Sequence, residues 1–178
     1  MWIADRWKDY EVIDTSNGEK LERWGDYILV RPDPQVIWNT PHKEPRWKQK
    51  NGHYHRSNRG GGEWEFFDLP KTWNIHYGEL AFHLQPFQFK HTGLFPEQAV
   101  NWEIMARLIE GAGREINVLN LFAYTGGATV ACLAAGASVT HVDSAKNMVE
   151  RCKRNVALSG LSDRPVRYIV DDCRKFIM

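Results

Sequence analysis

Asp143 and the adjacent pair Asp171-Asp172 each close a short apolar run, and the turn Tyr124-Thr125-Gly126-Gly127 closes another. Carboxylates so placed accept hydrogen bonds from paired hydroxyls and exocyclic amines, the groups a nucleoside displays. Small residues in a turn let a ligand approach the backbone closely. The chemistry implied is recognition of a nucleotide-like molecule along one rim.

Such a rim needs strands to carry it. Residues 117–122 read as a first strand, 128–135 as an Ala-rich helix ended by Gly136, and 138–143 as a second strand. Ser144 is placed to cap a further helix with an apolar stripe of Ala145, Met148, Val149, Cys152 and Val156, closed by Gly160. A third strand starts at Val166 and reaches Asp171 or Asp172, with another helix expected to begin as the sequence ends at Met178. Upstream, Val100, Ile104, Met105, Leu108 and Ile109 recur at helical spacing between Pro96 and the breakers Gly111 and Gly113. Strands alternating with helices imply right-handed crossovers and a parallel sheet, with ligands beyond the carboxyl ends of its strands.

The turn discriminates among ligands. A dinucleotide such as NAD asks for GxGxxG, and only Gly126-Gly127 is present. No Lys-Ser or Lys-Thr follows the glycines, which removes a P-loop. S-adenosylmethionine (SAM) carries a sulfonium and no phosphate, so it needs close backbone approach without phosphate geometry. Asp143 suits the ribose of either SAM or NAD, whereas Asp172, followed by the N–H of Cys173, suits an adenine edge. Two acids on successive strands favour SAM. Capping of the following helices remains the alternative role for Asp143 and for Asp171 and Asp172, and an NAD-dependent oxidoreductase is a minor alternative.

With 178 residues, 43% hydrophobic and 25% charged, the chain fits one soluble domain or one and a fraction. A net charge of +1 gives no global basic field, so nucleic acid could be bound only through a local patch. Cys132, Cys152 and Cys173 have no CxxC spacing, consistent with a reducing cytoplasm, and the first two fall on apolar helix faces as core residues. The amino terminus lacks the apolar core of a signal peptide, and the most apolar stretch, 118–142, is broken by polar residues and glycines. No membrane association is expected.

All eight tryptophans lie between Trp2 and Trp102, which divides the chain into a β-rich region, 1–92, and a second part, 93–178. Residues 27–30 form a strand stopped by Pro32 and Pro34, and 73–77 with 80–84 alternate as a hairpin around Gly78. Between them a basic loop, 42–62, carries Lys43, Arg46, Lys48, Lys50, Arg56 and Arg59 against one acid, Glu44, with Trp47 and Tyr54 interleaved. That mixture suits phosphate contact and base stacking; a solvated loop is the plainer alternative. A nucleic-acid-binding module using this loop, its nucleotide fold purely structural, is the second functional reading. His53, His55, His76, His83 and His91 are not clustered with acids at ligand spacing, so no metal is expected.

The segments NVLNLFAYTGGATVACLAAGASVTHVDSA, NMVERCKRNVALSGL and YIVDDCRKFI, with FKHTGLFPEQ upstream, resemble class I SAM-dependent methyltransferases of the group that includes bacterial large-subunit ribosomal RNA cytosine-5 methyltransferases. The resemblance covers residues 89–178. It implies a partial Rossmann-like α/β fold with a parallel sheet, preceded by the small β-rich region. It further implies that Phe122, Ala123, Tyr124, Thr125 and Gly126 line the methionine end of SAM and that Asp143, with Ser144 beside it, holds the ribose. Asp172 and Cys173 would flank the adenine, and Gln98 would touch the cofactor. RNA is the implied acceptor. The group's Asp-Gln-Arg stretch stands here as Glu97-Gln98-Ala99, without the arginine, and its second asparagine after the second helix is Ser159. Its acceptor-side motif is absent before Met178, so a fragment that binds SAM without turnover is expected and no catalytic residue is named. Oligomeric state is left open.

Overall fold

Asn17 and Gly18 both take left-handed φ, 53° and 75°, and turn the chain between β1 (Tyr10–Ser16) and β2 (Glu19–Trp24). An Asn-Gly pair is the favoured tight hairpin turn because its twist matches that of the strands it joins. The computed structural model describes residues 2–87 and 89–178. These divide into two compact units, one taking the described residues of Trp7–Tyr77 and Leu84–Gly93, the other those of Met1–Arg6, Gly78–His83 and Leu94–Met178.

In the first of these units, β3 (Tyr27–Pro32), β4 (Gly52–Arg56) and β5 (Gly62–Phe66) extend the sheet in the order β1-β2-β3-β4-β5. Among the described residues of this sheet, only β3 and β4 run parallel. Leu21, Val30 and Trp47 form a core cluster, with Ile13 and Ile28 packed against it. An ion pair is also sealed inside: Arg31 Nε lies 2.6 Å from the fully buried carboxylate of Glu22, which also accepts from Tyr10 Oη at 2.7 Å.

The stretch expected to be a basic loop is largely ordered. Pro45–Lys48 is a 3₁₀ turn, and the chain then enters β4. Trp47 and Tyr54 are buried; the indole N–H of Trp47 donates to Asp14 Oδ2 at 2.8 Å. Neither ring is presented for stacking on a base, because burial of their large apolar area outweighs the charge around them.

The hairpin expected at 73–84 forms as β6 (Trp73–Tyr77) and β7 (Leu80–Leu84). In the second unit, a 3₁₀ turn at Pro96–Gln98 leads into α1 (Ala99–Glu110). The buried residues of α1 are Ala99 and Trp102, while Leu108, expected on its apolar face, is 69% exposed. Trp102 meets Phe82 with ring centroids 5.2 Å apart, so one large ring sets the inward face rather than the aliphatic stripe.

There follow β8 (Asn117–Leu121), α2 (Gly127–Ala134), β9 (Ser138–Asp143), α3 (Lys146–Leu158), β10 (Val166–Val170) and α4 (Cys173–Phe176). The three strands are parallel, in the order β10-β9-β8, with Val139 paired to both Val118 and Val166. Besides a one-residue shift of α2, three boundaries differ from expectation. Phe122 leaves the first strand at φ 52°, and β10 stops at Val170, after which the Asp171 N–H donates to Asp143 O at 3.2 Å. Ser144 is exposed and does not cap α3; the N-cap is Ala145, without a side-chain bond, because Asp143 Oδ1 takes the Ala145 N–H at 2.9 Å. All three cysteines are free and buried. Among the described residues no helix is long and apolar enough to cross a membrane.

Candidate functional site

The turn between β8 and α2 holds three residues in left-handed conformations, Phe122 at φ 52°, Tyr124 at 52° and Gly126 at 83°. Two of them carry side chains, and each such position costs of order 1–3 kcal/mol unless its surroundings enforce it. The enforcing contacts come from distant elements. Phe122 N–H donates to Cys173 Sγ at 3.1 Å, and Tyr124 N–H donates to Asp143 Oδ2 at 2.8 Å. Ala123 N–H donates to Val142 O at 3.1 Å, and Asn155 Nδ2 donates to Thr125 O at 2.9 Å.

Close packing behind the turn requires its glycines. A Cβ on Gly126 would collide with the Cys152 side chain, and one on Gly127 would lie 2.7 Å from Trp102 Cζ2. Phe122 is pushed outward, 73% exposed, while Ala123 and Thr125 are buried.

In front of the turn is a cavity of about 230 Å³ lined by Gln98, Trp102, Asn120, Phe95 and residues 122–125, with Leu94, Gly127 and Ala128. Phe95 and Tyr124 face each other at 5.3 Å between ring centroids. No lysine or arginine lines this cavity among the described residues. The N–H of Gly126, at the head of α2, is already bonded to Ala123 O at 3.0 Å. Aromatic walls without a cation favour a positive group over a phosphate, which fits a sulfonium better than a pyrophosphate.

The expected site residues fall into distinct places. Gln98, Phe122, Ala123, Tyr124 and Thr125 share the cavity, with Gly126 behind them. Asp143 stands beneath the turn as a brace, each of its oxygens accepting one backbone N–H. Asp172 caps α4 by accepting the Arg174 N–H at 2.8 Å, and that bond, aided by the Arg174 side chain, holds its carboxyl below the usual range. Cys173 is 3% exposed, with Sγ 3.6 Å from Val142 O, so its thiol braces the interior rather than facing the rim. Burial pushes the thiol of Cys152 up to about 12 and raises that of Cys132, which suits inert core residues.

Some contributing residues carry no conspicuous sequence motif. Asn155 is 1% exposed and bridges Thr125 O to the His83 N–H, which its Oδ1 accepts at 2.8 Å. Its signal was a polar residue beside Cys152 and Val156 on a buried helix face. A second chain runs inward from the cavity: Asn120 Nδ2 donates to Thr129 Oγ1 at 2.9 Å, which lies 2.9 Å from His141 Nδ1. Burial pulls the His141 imidazole down to about 4, with Asp143 opposing.

On the other unit, the nucleic-acid candidates are unequal. Arg46 is engaged in two bonds to Glu44, at 2.8 and 3.1 Å. Lys50 lies over the Phe67 ring at 5.5 Å and reaches Trp47 O at 3.5 Å. Lys48, Arg56 and Arg59 are exposed.

The sequence profile of the S-adenosylmethionine-dependent methyltransferase family matches residues 44–175. Ribosomal RNA large subunit methyltransferase K/L of Shewanella baltica is 35% identical over 98% of this chain and 24% of its own length. The protein of that name from Shewanella frigidimarina is 35% identical over 67% of this chain and 16% of its own length. Among solved structures, a SAM-dependent methyltransferase from Agrobacterium tumefaciens is 40% identical, with a TM-score of 0.90 over 96% of this chain and 55% of that one. The chain thus spans a quarter or less of those curated relatives and about half of the solved chain. The α/β fold with its parallel sheet is the one that solved methyltransferase has over the matched residues.

Proposed function

We propose, for a chain that belongs to the S-adenosylmethionine-dependent methyltransferase family, that residues 122–126, Gln98, Asp143 and the start of α4 form the donor half of an enzyme that methylates RNA. The observation that carries this reading is the strained turn braced on Asp143 in front of an aromatic cavity free of cations. At about 230 Å³ the cavity suits the amino-acid and sulfonium end of SAM, leaving the nucleoside along the strand ends. Asp143 keeps a second lone pair on each oxygen for ribose hydroxyls, Ser144 stands exposed beside it, and Asp172 with the Cys173 N–H would read the adenine edge.

Bound SAM supplies an activated methyl group, so the protein's task is alignment and exclusion of water rather than proton transfer to a leaving group. The fixed shape of the turn and its aromatic walls hold the donor in one orientation. The 178 residues are proposed to bind SAM without turning over alone, since the solved relative they match is nearly twice as long. A cytoplasmic location accords with free, buried cysteines.

The RNA acceptor rests on the function for which the Shewanella relatives are named and on the exposed cations Lys48, Arg56 and Arg59. Anisotropy titration of a large-subunit rRNA transcript across salt concentrations tests it. Replacing any one of these cations that neutralises a phosphate by Ala should reduce the salt slope by about one. An affinity unchanged in the triple variant would remove the basic segment from RNA binding.

A further inference from the structure

His53 and His55 stand two residues apart on β4, so both imidazoles leave the same face of the sheet. The register sets His53 opposite Glu65 on β5, and cross-strand partners share a face. His55 Nε2 lies 2.8 Å from Glu65 Oε2, and the two imidazole rings are 3.9 Å apart, tilted by 39°. One donor atom from each of His53, His55 and Glu65 falls within 4.8 Å of the others. From β2, Glu19 Oε1 reaches His53 Nε2 at 2.6 Å. The sequence suggested histidines apart from acids; pairing of β4 with β5, and the reach of Glu19 from β2, bring them together.

We propose that His53, His55 and Glu65 bind a divalent transition-metal ion of the zinc type, with Glu19 as the carboxylate that orients His53. Two imidazoles and a carboxylate select zinc-like ions over magnesium or calcium, which prefer all-oxygen sites. Tetrahedral coordination with bonds of ~2.0–2.2 Å spaces donor atoms roughly 3.3 Å apart. The wider separations, up to 4.8 Å, therefore need to close while the His55–Glu65 pair opens from 2.8 Å, and the side chains that must move have room to do so: those of His55 and Glu65 are 48% and 52% exposed. His53, only 15% exposed and tied to Glu19, is the fixed point. A carboxylate hydrogen-bonded to a ligating histidine is the usual outer partner of such metals. Water completes the coordination, and the ion clips β4 to β5.

Isothermal titration of the whole chain with zinc chloride near neutral pH tests this, alongside His55→Gln and Glu19→Gln. Since His55 is half exposed, its replacement leaves the fold intact, and circular dichroism verifies that. One ion per wild-type chain is expected. Outer partners of bound metals are worth ~10–100-fold in affinity, so loss of the His55 ligand should weaken binding by at least about tenfold. Zinc should also raise the melting temperature of the wild type in a concentration-dependent way, and should move the imidazole nitrogen resonances of His53 and His55 but not of His141. No uptake, or uptake that His55→Gln leaves unchanged, would overturn the proposal.

Discussion

Tyr124 N–H donates to Asp143 Oδ2 at 2.8 Å, so the residue that ends the second parallel strand also shapes the turn that follows the first. Its other oxygen starts α3 by accepting from Ala145. With SAM bound as proposed, one carboxylate both builds the turn and receives the ligand.

Removing that carboxylate should therefore harm the empty protein as well as the complex. Asp143→Ala should lower stability by ~2–3 kcal/mol, the scale of hydrogen bonds to a charged acceptor. Asp143→Asn, which retains one acceptor oxygen, should lose less. Urea unfolding of the two variants and the wild type measures this, and coincident midpoints would mean that Asp143 does not brace the turn.

Gly126 and Gly127 are held by steric need rather than by phosphate binding. Gly126→Ala places a methyl group against Cys152 at a left-handed φ, and should cost ~2–4 kcal/mol from overpacking and backbone strain together. In a Cys152→Ala background the added cost should shrink, because the nearest colliding atom, the sulfur, is gone and only the Cβ, at 2.9 Å, remains. A double-mutant cycle by chemical denaturation reads that coupling; strict additivity would contradict the packing described.

Asn155 is a polar residue on the buried face of α3. Asn155→Leu removes the bonds to Thr125 O and His83 N–H, and losing the partner of a buried polar group costs ~1–3 kcal/mol. A loss of more than about 2 kcal/mol is expected, together with faster amide hydrogen exchange across the turn. Exchange changed only within α3 would show that Asn155 does not hold the turn.

Much of the parallel unit could be read from sequence because its cues are local. The second strand is bounded by Gly136 before and Asp143 at its end, and 138–143 is the strand observed. What holds the turn was not legible: Tyr124 with Asp143, Phe122 with Cys173 and Thr125 with Asn155 meet only through tertiary packing. In the β-rich unit the β1–β2 hairpin turned by Asn17-Gly18 was not expected, and Glu22 on β2 and Arg31 on β3 break the apolar alternation of the strands that carry them. They are inside because they pair with each other. Charge around Trp47 likewise suggested a ligand-stacking ring where the structure has a core residue.

His141 gives the protein an acid sensitivity. Its imidazole is fully buried and pulled from 6.5 down to about 4, so between those values the unfolded chain binds a proton that the folded chain refuses. Stability should thus be fully present above pH ~6.5 and fall as pH drops toward 4, by roughly 3 kcal/mol at most. Measured against the wild type by denaturation at several pH values, His141→Gln should have a flatter profile across that window. An identical slope in both proteins would assign the sensitivity to other groups.

The central claim, that the braced turn holds a sulfonium-bearing nucleoside, meets its most direct test in calorimetric titration of the 178-residue chain with SAM and, separately, with NAD. Saturable one-to-one binding of SAM, weakened by Asp143→Asn and absent for NAD, is the outcome the geometry requires. Binding of NAD in place of SAM would contradict it.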